Sequence, residues 1–555
     1  MISRKSQNLI YTLIGIVGLG VFPRLQAVSP PPDGGYPNGN TAEGQNALLN
    51  LTSGAYNTAV GYLALGLNTT GTFSTGIGAG ALLQNTADQN TATGAGSLLS
   101  NTTGGFNTAD GAFALQNNTI GAFNTATGTS ALQSNTSGSQ NTADGMNALL
   151  NNTTGTNNTA SGFGSLSNNT TGADNTAIGV NALYSNSTGN QNTATGEKAL
   201  LSNTDGANNT ATGFEALVSN TVGFLNTATG NAALGSNTTG ANNTANGAGA
   251  LLDNTTGSDN TATGVVALIS NTTGADNTAN GYQALYHNTI GNANTALGKN
   301  ALVGNTEGVN NTATGDDALP NNTTGNNNTA IGYATLANIT TGSGNIAIGA
   351  GAGSGFTTAN GSICIGAGGS LNVSNSCFIA NIFGATSSGG VGVFVNSDGQ
   401  LGTATSSRRF KDEIKPMAEA SDALFALRPV TFRYKKEIDP QRIAQFGLVA
   451  EDVEAVNSDL VVRDKDGKPY SVRYEQVNAM LLNEFLKEHK AFVAEQQKVH
   501  QQETTIEQLK SRITKQEQGM QALVSQIQEQ AAAIRKVTTQ MELSKALPQR
   551  VANGQ

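Results

Sequence analysis

Hydrophobic and polar positions repeat along most of the chain with a period of seventeen residues. Asn-Thr-Ala begins at Asn40 and Asn57, then recurs every seventeen residues from Asn107 to Asn328. Ser74 and Asn90 fill the gap near the start, where one unit is a residue short, and Asn345 and Ser362 continue the series. The unit reads N-T-A-x-G-x-x-A-L-x-x-N-T-T-G-x-x. Helical repeats need about 33 residues or more, and this unit is poor in helix formers. Gly, Asn and Thr favour turns and strands. Each copy carries two short apolar marks, the Ala of N-T-A and the Ala-Leu pair, each followed by a turn signal. The pattern predicts one coil of a parallel β-solenoid, with two short strands and two turns. Glycines at fixed places permit positive φ at the corners. Identical Asn side chains stacked coil on coil can hydrogen-bond as ladders. Coils about 4.8 Å apart make a rod on the order of 95 Å long. Leu183 or Leu217 is typical of the single bulky apolar residue per coil. So thin a core predicts side-by-side association, as a trimer.

The period changes after the repeats. Residues 386–405 read as a last strand, a turn and a connector. Residues 428–435 alternate as a strand, Phe446 to Ala450 is apolar, and Glu451 to Val456 fits a short helical turn. Residues 460–474 read as a hairpin around Asp466-Gly467. The Asp464-x-Asp466-Gly467 run lacks the other calcium-loop ligands and is a turn. From about Glu475 the pattern is helical. Phe485, Phe492, Val499, Ile506, Ile513, Met520, Ile527, Ile534 and Met541 recur every seven residues. Leu481, Leu509, Leu523 and Val537 fall on a second seam, which Gln502, Gln516 and Gln530 interrupt. This predicts a coiled coil, and Ile-rich first-seam positions fit three strands at least as well as two. The expected fold is therefore mainly β: a solenoid rod over 40–385, a connector over 386–405, a small α+β domain over 406–480, a trimeric coiled coil over 481–545 and a tail over 546–555.

Charge sharpens the boundary. The chain has 555 residues, 69 of them Gly, with 12% charged residues and no Trp. Residues 28–405 hold two basic residues, Lys198 and Lys299, against sixteen acidic ones; residues 406–555 hold 23 basic and 21 acidic. The net charge of −9 gives no reason to expect a nucleic-acid partner. At the N-terminus, Arg4 and Lys5 precede an apolar run from Ile10 to Phe22 and a small residue at Ala27. That is the layout of a signal peptide over 1–27, followed by a linker over 28–39. The run is shorter than the roughly 20 residues that span a bilayer. The expectation is a secreted or cell-surface protein with no transmembrane anchor beyond the signal peptide.

Candidate chemistry is sparse in the repeats. The Asn-x-Thr triplets match glycosylation acceptors, but their strict period points to turns and ladders. Gly76–Gly80 and Gly349–Gly353 lack phosphate-loop spacing and read as corners. His287 is solitary, and no metal or cofactor is expected. Cys364 and Cys377 occupy coil positions three and two, on opposite faces of a strand; two buried thiols are expected rather than a disulfide. Asp316-Asp317 is the one adjacent acidic pair there, which argues against a glycan-degrading enzyme in the rod. The expected partners are two further copies of the chain and, through the rod, a cell-surface or glycan ligand. The informative stretch is Ser406-Ser407-Arg408-Arg409-Phe410-Lys411. Ser is a nucleophile only when a base takes its proton, and Lys can be that base when burial or nearby positive charge disfavours its ammonium. Arg408 and Arg409 stand between the two. The plain alternative is a solvated helix start with Ser407 as N-cap.

Two resemblances follow. The units 175-NTAIGVNALYSNSTGNQ-191 and 345-NIAIGAGAGSG-355 resemble the left-handed parallel β-roll of trimeric, YadA-like adhesin heads. The stretch 406-SSRRFKDEIKPM-417 resembles the junction motif of the endosialidase-type intramolecular chaperone family, Ser-Asp-x-Arg-x-Lys-x-x-Ile, matched at Ser406, Arg409, Lys411 and Ile414. The likeness continues through 425-FALRPVTFRYK-435, 446-FGLVAEDVEAV-456 and 470-YSVRYEQVNAMLLNEFLKE-488. It implies a domain that trimerises, aligns an upstream fibre and then cuts itself off. Ser406 would be the nucleophile and Lys411 the general base of a single-turnover serine peptidase. Ser407, standing where Asp is common, is the alternative nucleophile. The cut falls at Thr405–Ser406 or Ser406–Ser407. A plain trimerisation domain that never cuts is the competing expectation.

Overall fold

The computed structural model describes residues 36–366, 368 and 371–545. The expected signal peptide, the first part of the linker and the tail from 546 lie outside the described residues. The chain divides into two units, one ending at Ala385 and one beginning at Thr386.

The first unit is the solenoid. Twenty-one three-residue strands, from β1 (Thr41–Glu43) to β21 (Cys377–Ile379), form one parallel sheet. Each strand pairs in register with the next coil, Thr176 with Thr193 and Ala177 with Ala194. The short unit shows as the offset between Thr75 and Thr91. The structure corrects the expected coil in one respect: each has one strand, not two. The Ala-Leu mark is a turn. Its Leu residues sit at φ 48–55°, the left-handed region that costs an L-residue about 1–2 kcal/mol. A strand cannot pass through that conformation. Local bonds close the turn, Ala182 N–H to Gly179 C=O at 3.3 Å and Asn186 N–H to Leu183 C=O at 3.2 Å. Leu183 N–H meanwhile reaches Ala199 C=O of the next coil at 2.9 Å. The gain that offsets the strain is burial. From the second coil on, the Leu side chains and the Ala residues of both marks are fully enclosed, and a buried Leu contributes about 2 kcal/mol.

Two Asn columns run through the same interior. Asn192 donates from Nδ2 to Gly206 C=O at 2.8 Å and to Asn175 Oδ1 at 3.1 Å. Its own Oδ1 accepts the backbone N–H of Asn209 at 3.0 Å. Asn203, on the other column, donates to the same Gly206 carbonyl at 2.9 Å and to Asn186 Oδ1 at 2.8 Å. Both Asn columns of a coil thus converge on one carbonyl. Gly is required there, because a Cβ on Gly206 would stand 2.4 Å from Asn203 Oδ1. The second column ends at Asn322, whose Oδ1 is buried without a partner. Apolar Ile339 and Phe356, both buried, take the next two places. The triplet Asn residues of these columns are enclosed, so their period reflects ladder chemistry.

The cysteines are partly as expected. Strand pairing sets Cys364 opposite Phe378 and Cys377 opposite Ile363, which puts the two thiols on opposite faces. Cys364 is buried, and burial pushes its thiol up. Cys377 is exposed, a correction to the expectation of two buried thiols: coil position two, the first residue of each strand, faces outward.

The second unit begins with a hairpin. Strand β22 (Val393–Val395) pairs antiparallel with β23 (Leu401–Thr403), so the expected connector is a second strand. Asn396 Oδ1 holds the turn by accepting the N–H of Asp398 and of Gln400, at 3.1 and 2.8 Å. Next come β24 (Val430–Phe432) paired with β25 (Gln445–Gly447), the short helix α1 (Ala450–Val456), and β26 (Val461–Arg463) paired with β27 (Pro469–Val472). Helix α2 then runs 71 residues, Tyr474–Ser544. Val453, Leu460, Val461, Val472, Val477 and Met480 form a small core where its first turns meet α1 and the last hairpin. Beyond Met480 no residue of α2 is buried. No helix among the described residues is long and apolar enough to cross a membrane.

Candidate functional site

The segment between the first hairpin and the small core is exposed from Leu401 to Pro416. Within it the backbone is extended at Ser407 (φ −66°, ψ 138°) and makes one 3-10 turn over Arg408–Phe410. It becomes extended again at Lys411 (φ −128°, ψ 130°). The turn is closed by Phe410 N–H to Ser407 C=O at 3.0 Å and Lys411 N–H to Arg408 C=O at 3.1 Å. A single tight turn between the two residues folds Lys411 back over the start of the segment. Its Nζ donates to Ser406 Oγ at 3.2 Å. Ser407 stands at the head of the turn, but its side chain does not cap it. The Arg409 guanidinium lies 4.6 Å from the centroid of the Phe410 ring. Thr405 is exposed and immediately precedes the pair.

A second Ser–Lys pair had no signal in the sequence. A nine-residue 3-10 stretch, Ala418–Ala426, packs on α2 and buries Ser421 completely. Ser421 Oγ receives Asn483 Nδ2 at 2.6 Å and Lys487 Nζ at 3.3 Å, and it also bonds Glu484 Oε1. Lys487 further binds Asp422 Oδ1 at 2.8 Å and Glu484 Oε1 at 2.6 Å. The hydrogen bond to Asp422, then that to Glu484, raises Lys487 above the ordinary lysine value. The bond from Lys487, then that from Ser421, holds Glu484 below the usual carboxylate range. Two carboxylates stabilise the ammonium, which is the wrong direction for a base. This cluster fastens the 418–426 stretch to α2. The Glu484–Lys487 spacing of three on a helix was visible in the sequence, whereas Ser421 lies more than sixty residues from its partners.

The pair at 406 and 411 has the opposite surroundings. No carboxylate hydrogen-bonds Lys411; the short-range acidic contact nearby is Lys415 with Glu413, 3.2 Å. Of the two Ser–Lys arrangements, only this one has no carboxylate hydrogen-bonded to the lysine. Both residues are open to solvent.

Among the described residues no group of three or more His, Cys, Asp or Glu could hold a metal ion. A family model described as chaperone of endosialidase matches residues 406–462. The match begins on Ser406, after the solenoid and the hairpin that opens the second unit, the architecture that the sequence resemblance implies. No curated protein and no solved structure matches the chain.

Proposed function

We propose that the chain is an exported, trimeric surface or fibre protein. Its C-terminal segment would act as an intramolecular trimerisation chaperone and then release itself by a single cut near Ser406. The observation that carries this reading is the Lys411–Ser406 contact at the first residue of the segment similar to the endosialidase chaperone. The unpartnered apolar surface of the second unit supports it. Every apolar residue of the two α2 seams from Leu481 to Met541 is 45% exposed or more, and the hairpin residues Val393, Val395 and Leu401 are open as well. A two-stranded hairpin is marginal alone, and a 71-residue helix with a bare seven-residue stripe needs partner helices.

Trimerisation and cutting are then coupled. Association of three copies withdraws the 401–416 segment from water, which favours the neutral amine of Lys411. Lys411 takes the Ser406 hydroxyl proton. Oγ attacks an adjacent peptide carbonyl, an ester C–O bond forms, and the C–N bond breaks as the amine leaves with that proton. Water hydrolyses the ester and restores the hydroxyl. Nucleophile and carbonyl belong to one chain, so proximity supplies much of the rate and no substrate pocket is needed. Exposure of both residues in the single chain favours the second reading, a trimerisation domain that never cuts.

Expression of wild type with Ser406→Ala, Lys411→Ala and Ser407→Ala separates the two. The first reading expects a fragment beginning at or next to Ser406 from wild type and from Ser407→Ala. It expects intact chains from the other two, all four remaining trimeric by light scattering. Intact wild-type trimer leaves the second reading. Loss of cutting in Ser407→Ala alone moves the nucleophile by one residue.

A further inference from the structure

We infer that the copies meet along the strand face of the solenoid only over its last four coils, a contact that rests on the trimeric reading proposed above. The outward columns of that face are coil positions two and four, the first and third residues of each strand. Position two is Thr in eighteen consecutive strands, Thr41 to Thr329, then becomes Ile346 and Ile363. Position four becomes Ile331, Ile348, Ile365 and Ile379. The six Ile residues are each 36–42% exposed and sit on neighbouring rungs of one sheet. Upstream aliphatics of position four have only Thr at position two beside them: Ile178 and Leu297 stand singly, and Val60 and Ile77 form one pair next to Glu43.

Charge selects the occupant and its extent. Around a cyclic axis each residue on an inward face meets its own copies. Glu43, Asp110 and Asp144 occupy position four upstream and are exposed, so like charges would converge there, at a cost of several kcal/mol. The Ile rungs carry no charge. A second copy therefore fits this face at the C-terminal end and is excluded toward the N-terminal end. The chain already carries another unpartnered apolar surface, on α2, that calls for copies of itself.

Cys377 reports on this contact without any substitution on the face. It occupies position two beside the Ile column and is exposed, whereas Cys364 is enclosed. Full-length Ser406→Ala chains, kept whole, are treated with copper–phenanthroline, which accepts two electrons as two thiols lose their protons and form one disulfide. Light scattering is run on the same samples. The expected result is trimer in which up to two-thirds of chains run as disulfide-linked dimers on a denaturing gel. The companion variant Cys377→Ala with Thr193→Cys, in the same column far upstream, should give less than a tenth of that yield. Trimer without a link at Cys377, as a lipid or foreign protein on this face would leave it, overturns this inference and spares trimerisation. Equal linking at both positions overturns the confinement to the last coils. Monomer overturns both readings.

Discussion

Replacing Asn192 by Ala should open the solenoid locally far more than replacing Asn203, although both are fully buried Asn residues on ladder columns of one coil. The difference lies in what each leaves behind. Loss of Asn192 leaves Gly206 C=O with its bond from Asn203, and Asn175 Oδ1 with the Asn192 N–H at 3.0 Å. The Nδ2 of Asn209 keeps Gly223 C=O. The backbone N–H of Asn209, however, loses its acceptor and cannot turn elsewhere. A stranded buried donor costs about 1–3 kcal/mol, and the two lost donations add about 1 kcal/mol each at most. About 3 kcal/mol is expected, roughly a hundredfold in the opening constant at 1.4 kcal/mol per decade. Loss of Asn203 strands only Asn186 Oδ1, a side-chain atom that can reorient, while Asn220 keeps Gly223 C=O. That should cost about 2 kcal/mol. Asn190 is the control: its Oδ1 accepts the N–H of Ala173 at 2.7 Å in an exposed setting, where water replaces it and Ala should cost under about 0.5 kcal/mol. Hydrogen exchange by mass spectrometry reads opening coil by coil, which suits an array that need not unfold in one step. Equal acceleration by Asn190→Ala and Asn192→Ala would refute the reasoning, because burial would then not matter.

Three further outcomes are expected. Leu217→Asp, which places a carboxylate in the enclosed Ala-Leu column, should cost at least about 4 kcal/mol and loosen neighbouring coils, read by the same exchange experiment. Ile513→Asp, on the first α2 seam, should lower the mass found by sedimentation from trimer to monomer in a 481–545 peptide; an unchanged mass would remove the seam from the interface. The Ser421–Glu484–Lys487 cluster should hold its strength across neutral pH. Glu484 is lowered, so its contribution is present above the ordinary carboxylate range and lost as pH falls through its depressed value; Lys487 is raised, so its contribution is lost only as pH rises past the ordinary lysine range. Exchange protection of 418–426 that changed between pH 6 and 8 would contradict this.

The sequence made the solenoid legible because its period is a physical constraint repeated many times. Each coil must return to the same place, so Gly206, Asn192, Asn203 and Leu217 have counterparts at fixed offsets, and spacing alone reveals their columns. The second strand per coil was misread because Ala-Leu has the composition of a strand. What excludes one is the left-handed φ of the Leu, and composition does not encode φ for a residue that rarely adopts it. Cys377 was misjudged for a related reason: the position-two column faces out, and its long run of Thr carried that information better than the Cys itself. In the C-terminal unit, Ser406 and Lys411 were legible because five residues and one turn connect them. Ser421 was not, because its partners come from a distant helix and no local pattern marks them.

Repetition also explains why such a rod would need a folding device. Thr193 and Thr210 present the same exposed side chain on successive coils, so two copies of the rod can lie side by side displaced by one coil with nearly the same local contacts. Strands with uniform sides specify register weakly. Only features that break the repeat can select the right alignment. The solenoid holds few: the short unit between Thr75 and Thr91, and the terminal rungs where Thr gives way to Ile346 and Ile363. Both are confined to a few coils. The non-repeating second unit, with its long seamed helix, is where three chains could be aligned unambiguously, and it follows the rod in sequence. If the Ile rungs meet as proposed, the rod itself would hold the alignment and the aligning segment would have no further mechanical role. A cut at Ser406, between the two, is then compatible with a stable fibre.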